Sequence, residues 1–141
     1  MKKIILLLAI AAMAAISSCT KDDNNSITAG NVSSTVSSGT WRVTYYWDTD
    51  HVETSNFSGY SFTFAGGSVL TAVSGGSTVT GTWQTGTDNS TVKLIISFAS
   101  PANFTEISED WHVLERTATK IRLQHVSGGS GGTDYLTFEK N

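Results

Sequence analysis

Asp48, Asp50, His51 and Glu53 fall close together in the chain, and carboxylate oxygens beside an imidazole are ligands for a divalent cation. Their spacing follows no metal-binding loop, so a solvated, charged loop is the expectation. His112 and His125 lie on neighbouring predicted strands, where two imidazoles can hold zinc, but no third ligand is evident in the sequence. No metal and no cofactor are therefore expected. Glu106, Glu109 and Asp110 are acidic, yet nothing selects two of them as the acid and base of a glycosidase. Ser127 to Gly132, SGGSGG, reads as a loop and not as a nucleophile elbow. The chain reads as a non-enzyme. The remaining candidates are rings: Tyr45, Tyr46 and Trp47 are consecutive, and an outward ring of this kind stacks on a sugar or a partner.

The elements that must position these groups belong to a small chain. It has 141 residues, a net charge of −3, one proline and one cysteine, which allows a single domain. Every aromatic residue lies after position 40, so rings supply the core of a Ser/Thr-rich domain. The mild acidity argues against nucleic acid, because no basic patch is present to neutralise phosphates.

The first residues carry an address. Met1-Lys2-Lys3 is positive, and Ile4 to Ile16 is an unbroken apolar run. A bilayer span needs about 20 residues, so residues 1–18 read as a signal peptide. The run ends in Ile16-Ser17-Ser18-Cys19, which resembles a bacterial lipobox. In that family the cysteine is acylated and becomes the first residue of the mature chain. The resemblance thus implies a membrane-bound Cys19, unavailable as a nucleophile, and more than one acyl chain gives stable anchoring. No second cysteine exists to pair with it. Lys21, Asp22 and Asp23 follow, and a lysine before two acids resembles the export signal of Bacteroidota surface lipoproteins. That resemblance implies the outer membrane and its outer face; otherwise the protein faces the periplasm.

Residues 19–38 read as the lipidated cysteine and a flexible tether, because Asn24 to Ser38 has no charge and no sustained apolar period. Such a tether holds the domain roughly 20–25 Å from the lipid. From Gly39 onward, period-two alternation recurs between turn signals. It predicts strands over 41–47, 60–64, 69–73, 78–85, 92–98, 111–117, 120–126 and 133–140. In the first strand the alternation assigns Trp41, Val43, Tyr45 and Trp47 to the inner face and Tyr46 to the outer. Short turns join the strands, so the expectation is an all-β, eight-stranded antiparallel up-and-down barrel over residues 39–141, closed to avoid exposed edges. Ser100-Pro101 is a helix-start signal, and Phe104, Ile107 and Trp111 fall at helical spacing. One short capping helix is predicted over 101–108.

Gly39-Thr40-Trp41 opens the first strand, and Gly81-Thr82-Trp83 recurs in the fourth. The Gly-x-Trp start resembles the lipocalin, or calycin, pattern. There the tryptophan plugs one barrel end and an arginine from a late strand packs over it. The resemblance implies that Trp41 closes the barrel with either Arg122 or Arg116. Asp110-Trp111-His112-Val113, Thr119-Lys120-Ile121-Arg122-Leu123 and Leu136-Thr137-Phe138-Glu139-Lys140 follow in order. The whole chain is similar to small lipocalin-like lipoproteins of Bacteroidota. A binding barrel is the function this suggests, with Tyr45, Trp47, Tyr60 and Trp83 contacting a small apolar or glycan ligand at the open end. The alternative is a barrel filled by its own side chains, whose outer face meets an outer-membrane protein.

Overall fold

The structure is a computed structural model and describes residues 26–129 and 131–141. The signal peptide, Cys19 and the Lys21, Asp22 and Asp23 signal lie outside the described residues. Nine strands form one antiparallel sheet: β1 (Trp41–Asp48), β2 (His51–Val52), β3 (Ser61–Ala65), β4 (Val69–Ser74), β5 (Ser77–Asp88), β6 (Thr91–Ser97), β7 (Asp110–Arg116), β8 (Lys120–Val126) and β9 (Thr133–Lys140). Neighbours follow in the order β2-β1-β3-β4-β5-β6-β7-β8-β9, and β1 also pairs with β9. The eight long strands therefore close into the expected up-and-down barrel. The short β2 is an addition, a hairpin return on the end of β1 at Trp47↔Val52 and Asp48↔His51. Closure is uneven. β1 meets β9 from Trp41↔Lys140 to Trp47↔Tyr135, but meets β3 only at Trp41↔Phe62.

The strands form where branched and aromatic residues alternate with Ser and Thr, as a half-buried pleated surface requires. Phe62 and Phe64 of β3, Leu70 and Ala72 of β4, Leu94 and Ile96 of β6, and Leu136 and Phe138 of β9 are all buried on the inner face. The β5–β6 hairpin turns through Asn89 and Ser90, at φ 45° and 66°. Two consecutive left-handed residues give the twist that suits a tight hairpin. Gly81 sits where β5 passes closest to the chain leaving β6: a Cβ there would run into the Ser97 carbonyl and the Phe98 ring. The glycine of the second Gly-Thr-Trp is thus required by a close approach rather than by a turn.

Two helices stopper the barrel. The end where β1 starts, the base, is covered by α1 (Ala29–Val36). The Thr28 hydroxyl caps this helix by accepting from the Asn31 N–H at 3.1 Å, and Val32, Thr35 and Val36 are buried on one face. The expected flexible tether is therefore corrected over this stretch. Its single apolar stripe at i, i+4 is short and surrounded by poor helix formers, and only packing against the barrel stabilises it. The Trp41 indole N–H donates to the Val36 carbonyl at 2.8 Å. Arg116, the buried last residue of β7, donates to the Ser26 carbonyl at 3.0 Å and to the Thr35 hydroxyl at 2.7 Å.

The opposite end, the rim, is covered by α2 (Ala102–Glu106), between β6 and β7. It is shorter than the predicted 101–108. The Ser100–Pro101 peptide is cis, Pro101 is extended at the cap position, and Ser100 makes no cap. Phe104 is fully buried and meets the rings of Phe57, Tyr60, Phe62 and Phe98 at centroid distances of 4.9–6.0 Å. Ile107 is buried beside it, and its carbonyl accepts from the Trp111 indole N–H at 2.9 Å. Between the two stoppers the interior is occupied by one continuous cluster of apolar side chains.

Candidate functional site

A β-bulge decides which rings face the solvent. The pairing of β1 with β9 shifts between Val43 and Tyr45, so Thr44 is an extra residue. An extra residue exchanges the two faces of everything that follows. Tyr46 consequently turns inward, 1% exposed, and Tyr45 turns outward, 40% exposed. This reverses the expected assignment of Tyr45 and Trp47 to the inside and Tyr46 to the outside. The Tyr46 hydroxyl donates to the Glu106 carbonyl at 3.3 Å, edge-on to Phe57 at 5.6 Å. Burial, and then the nearby Asp48 and Asp134 carboxylates, hold its phenol well above the usual tyrosine range.

Tyr45 now borders a groove on the outer face of β1, β9 and β8. Its volume is about 320 Å³, and Tyr45, Arg122, Leu123, Tyr135 and Thr137 line it. Register builds it: Tyr45 stands opposite Thr137, which stands opposite Arg122. One step along, Trp47 stands opposite Tyr135, and Tyr135 opposite Gln124. The Gln124 amide donates to the Tyr135 hydroxyl at 3.4 Å. Arg122 donates to Glu115 Oε2 at 3.3 Å, and its side chain is 50% exposed. Glu115 is held below the usual carboxylate range, first by its hydrogen bond to Lys120 and then by Arg122. Rings, a guanidinium and amide and hydroxyl groups thus share one open surface.

The four expected ligand residues do not meet. Tyr45 and Trp47 belong to the outer face. Tyr60 packs its ring on Phe104 at the rim. Trp83 is buried, edge-on to Phe64 at 5.6 Å, with its indole N–H donating to the Ala65 carbonyl at 2.9 Å. Arg122 as barrel closer is likewise corrected: it points outward, and Arg116 occupies the inner position. Arg122 faces outward by the plain alternation of β8, between buried Ile121 and Leu123, and a second bulge, on β7, moves Arg116. The β7–β8 register shifts between Val113 and Glu115, leaving Leu114 extra and turning Arg116 inward. Trp41 does sit in the base, fully buried, and the cation 5.4 Å from its ring centroid is the Lys140 ammonium.

The rim is acidic. His51 is exposed at the start of β2 and bridges Asp50 and Glu53, with its Nε2 at 2.7 Å from Glu53 Oε1. Hydrogen bonds to Asp50 and Glu53 raise its pKa to about 8. Glu106 is pushed up by burial and by the neighbouring Glu53. Asp110 is held low by its hydrogen bond to Lys93. His112 does not join His125: it stands opposite Gln124 on the outer face, whereas His125 lies on the inward side of β8.

No family model matches the chain, and no curated protein matches its sequence. Among solved structures, a DUF4847 family protein from Bacteroides vulgatus ATCC 8482 shares the fold. The two are 19% identical with a TM-score of 0.53, over 78% of this chain and 97% of that one. Among the described residues, no helix is long and apolar enough to cross a membrane.

Proposed function

We propose that this protein is a lipid-anchored, outer-membrane, non-enzymatic binding module whose ligand is a glycan held on the outer face rather than inside the barrel. The observation that carries this reading is the exchange of faces at Thr44. It places Tyr45 in solvent beside Tyr135, Arg122 and Thr137 while the interior stays filled by apolar side chains. An exposed ring stacks on the apolar face of a sugar, and guanidinium, amide and hydroxyl groups supply the directional bonds to its hydroxyls. The open groove suits an extended chain better than a small enclosed molecule. An outward Arg122 paired with Glu115 is also pre-positioned by its partner, which lowers the ordering cost of binding.

The test uses the full chain in detergent, titrated with maltohexaose, xylohexaose and mannohexaose while following tryptophan fluorescence. At least one should bind, and Tyr45→Ala or Arg122→Ala should weaken it about tenfold, equivalent to about 1.4 kcal/mol. Failure of all three sugars, together with stoichiometric uptake of a fatty acid that Phe62→Trp blocks, would return the ligand to the interior. The anchor is tested separately. Cys19→Ala should leave the precursor uncleaved and free of acyl chains in its own bacterial host, and a processed, acylated product would overturn it. Protease shaving of intact cells then distinguishes the outer face from the periplasmic one.

A further inference from the structure

We propose that Glu109, Asp110 and His125 form a divalent-cation site at the rim, with zinc as the fitting ion. His125 is the next inward residue of β8 after Leu123, and its side chain is only 16% exposed. Its ring stands edge-on to Trp111, with centroids 6.1 Å apart, which fixes its plane. Nε2 lies 3.5 Å from Glu109 Oε2 and 3.6 Å from Asp110 Oδ1. Those separations are long for hydrogen bonds, which prefer about 2.7–3.2 Å. They match the spacing of two ligands of one tetrahedral ion: donors about 2.0–2.2 Å from zinc stand about 3.3–3.6 Å apart. One donor atom from each of the three residues lies within 4.8 Å of the others.

The far side of the ring points the same way. Nδ1 is buried and has no hydrogen-bond partner, yet Asp134 Oδ2 lies 3.6 Å from it. Asp134 is itself fixed, with Oδ1 accepting from the Thr49 N–H at 2.8 Å and from its hydroxyl at 3.2 Å. A carboxylate behind the non-ligating nitrogen is the usual outer partner of a zinc-bound histidine, setting its tautomer and orientation. A small turn of the ring closes that bond as the metal takes Nε2. Lys93 is the cation that faces the cluster: it binds Asp110 Oδ2 and lies 3.5 Å from Asp88. It occupies the other oxygen of Asp110 and leaves Oδ1 toward His125. The Glu109, Asp110 and Asp134 carboxylates, with Asp88 beyond Lys93, outnumber that one ammonium, an excess of negative charge that a divalent ion offsets. Three protein donors leave a fourth position open to water or to a ligand group.

The full chain in detergent, stripped with a chelator, is dialysed against zinc and assayed by elemental analysis. One equivalent should bind, and cobalt in its place should give the intense visible bands of a tetrahedral ion. Glu109→Gln and His125→Asn should each weaken uptake at least tenfold. Asp134→Asn, a positioning change, should weaken it about tenfold and shift the His125 ring nitrogen signals. Near-ultraviolet dichroism of Trp111 checks the fold. Should His125→Asn fail to fold, Glu109→Gln, with its side chain 39% exposed, decides alone. Absence of stoichiometric zinc, or uptake lost in His51→Gln and kept in Glu109→Gln, would overturn the site.

Discussion

Removing residues 26–38 while keeping everything before and after them is expected to destabilise the barrel by about 5 kcal/mol or more. Val32 and Val36 are almost fully buried, and burying a valine contributes about 1.5–3 kcal/mol. Arg116 would lose the Ser26 carbonyl and the Thr35 hydroxyl, and hydrogen bonds to charged groups contribute about 1.5–3 kcal/mol. Trp41 would lose its acceptor on Val36 and its cover. Small domains are stable by only about 5–15 kcal/mol, so the shortened chain stands at the edge of folding. Urea unfolding followed by tryptophan fluorescence measures this. An unchanged midpoint would mean that the segment is a tether after all. Val36→Asp makes the same test with one side chain, since it forces an unpaired charge into the plug.

Phe104→Ala should cost about 3–5 kcal/mol, the usual range for truncating a buried aromatic. Its ring is the hub on which Phe57, Tyr60, Phe62 and Phe98 converge. α2 spans only Ala102–Glu106, too short to persist alone, so this side chain seats the helix rather than the reverse. For a domain of this size, each kcal/mol lowers the thermal midpoint by about 4–8 °C. Phe104→Leu keeps most of the volume and should cost clearly less. A loss below about 1 kcal/mol in Phe104→Ala would show that the rim cluster closes over the gap, and that α2 is seated by Ile107 instead.

The strands were legible because burial on one face imposes a period of two. Lys120 to Val126 and Thr133 to Lys140 were predicted with their observed bounds. What the alternation could not reveal was its own interruptions. A bulge adds one residue without changing composition, so Thr44 and Leu114 carry no mark in the sequence. Each inverted the residues after it, and each inversion concerned a candidate site: Tyr45 and Trp47 in one case, Arg116 in the other. α1 was hidden for a different reason. Two valines four residues apart are a weak signal until the barrel supplies the surface that buries them. His125 illustrates a third limit. Two of its acidic partners, Glu109 and Asp110, lie some fifteen residues earlier, and only the fold sets them against its ring.

The uneven closure of the barrel has a mechanical side. If the chain is held at a membrane through its N-terminus, tension enters at α1 and passes into the start of β1. β1 is joined to β9 along nearly its whole length, from Trp41↔Lys140 to Trp47↔Tyr135, and barely to β3. Ladder hydrogen bonds lie across the strands, so a pull along β1 loads them together in shear instead of peeling them one after another. The groove lined by Tyr45, Tyr135 and Arg122 spans the same strands and the adjoining β8. Force applied at that groove would therefore cross β8, β9 and β1 to reach α1, which itself packs on β5 and β6. α1 is the element in series, held by Val32, Val36 and the Arg116 bonds to Ser26 and Thr35. Because those same contacts stabilise the barrel, undocking α1 would also weaken the strands that line the groove.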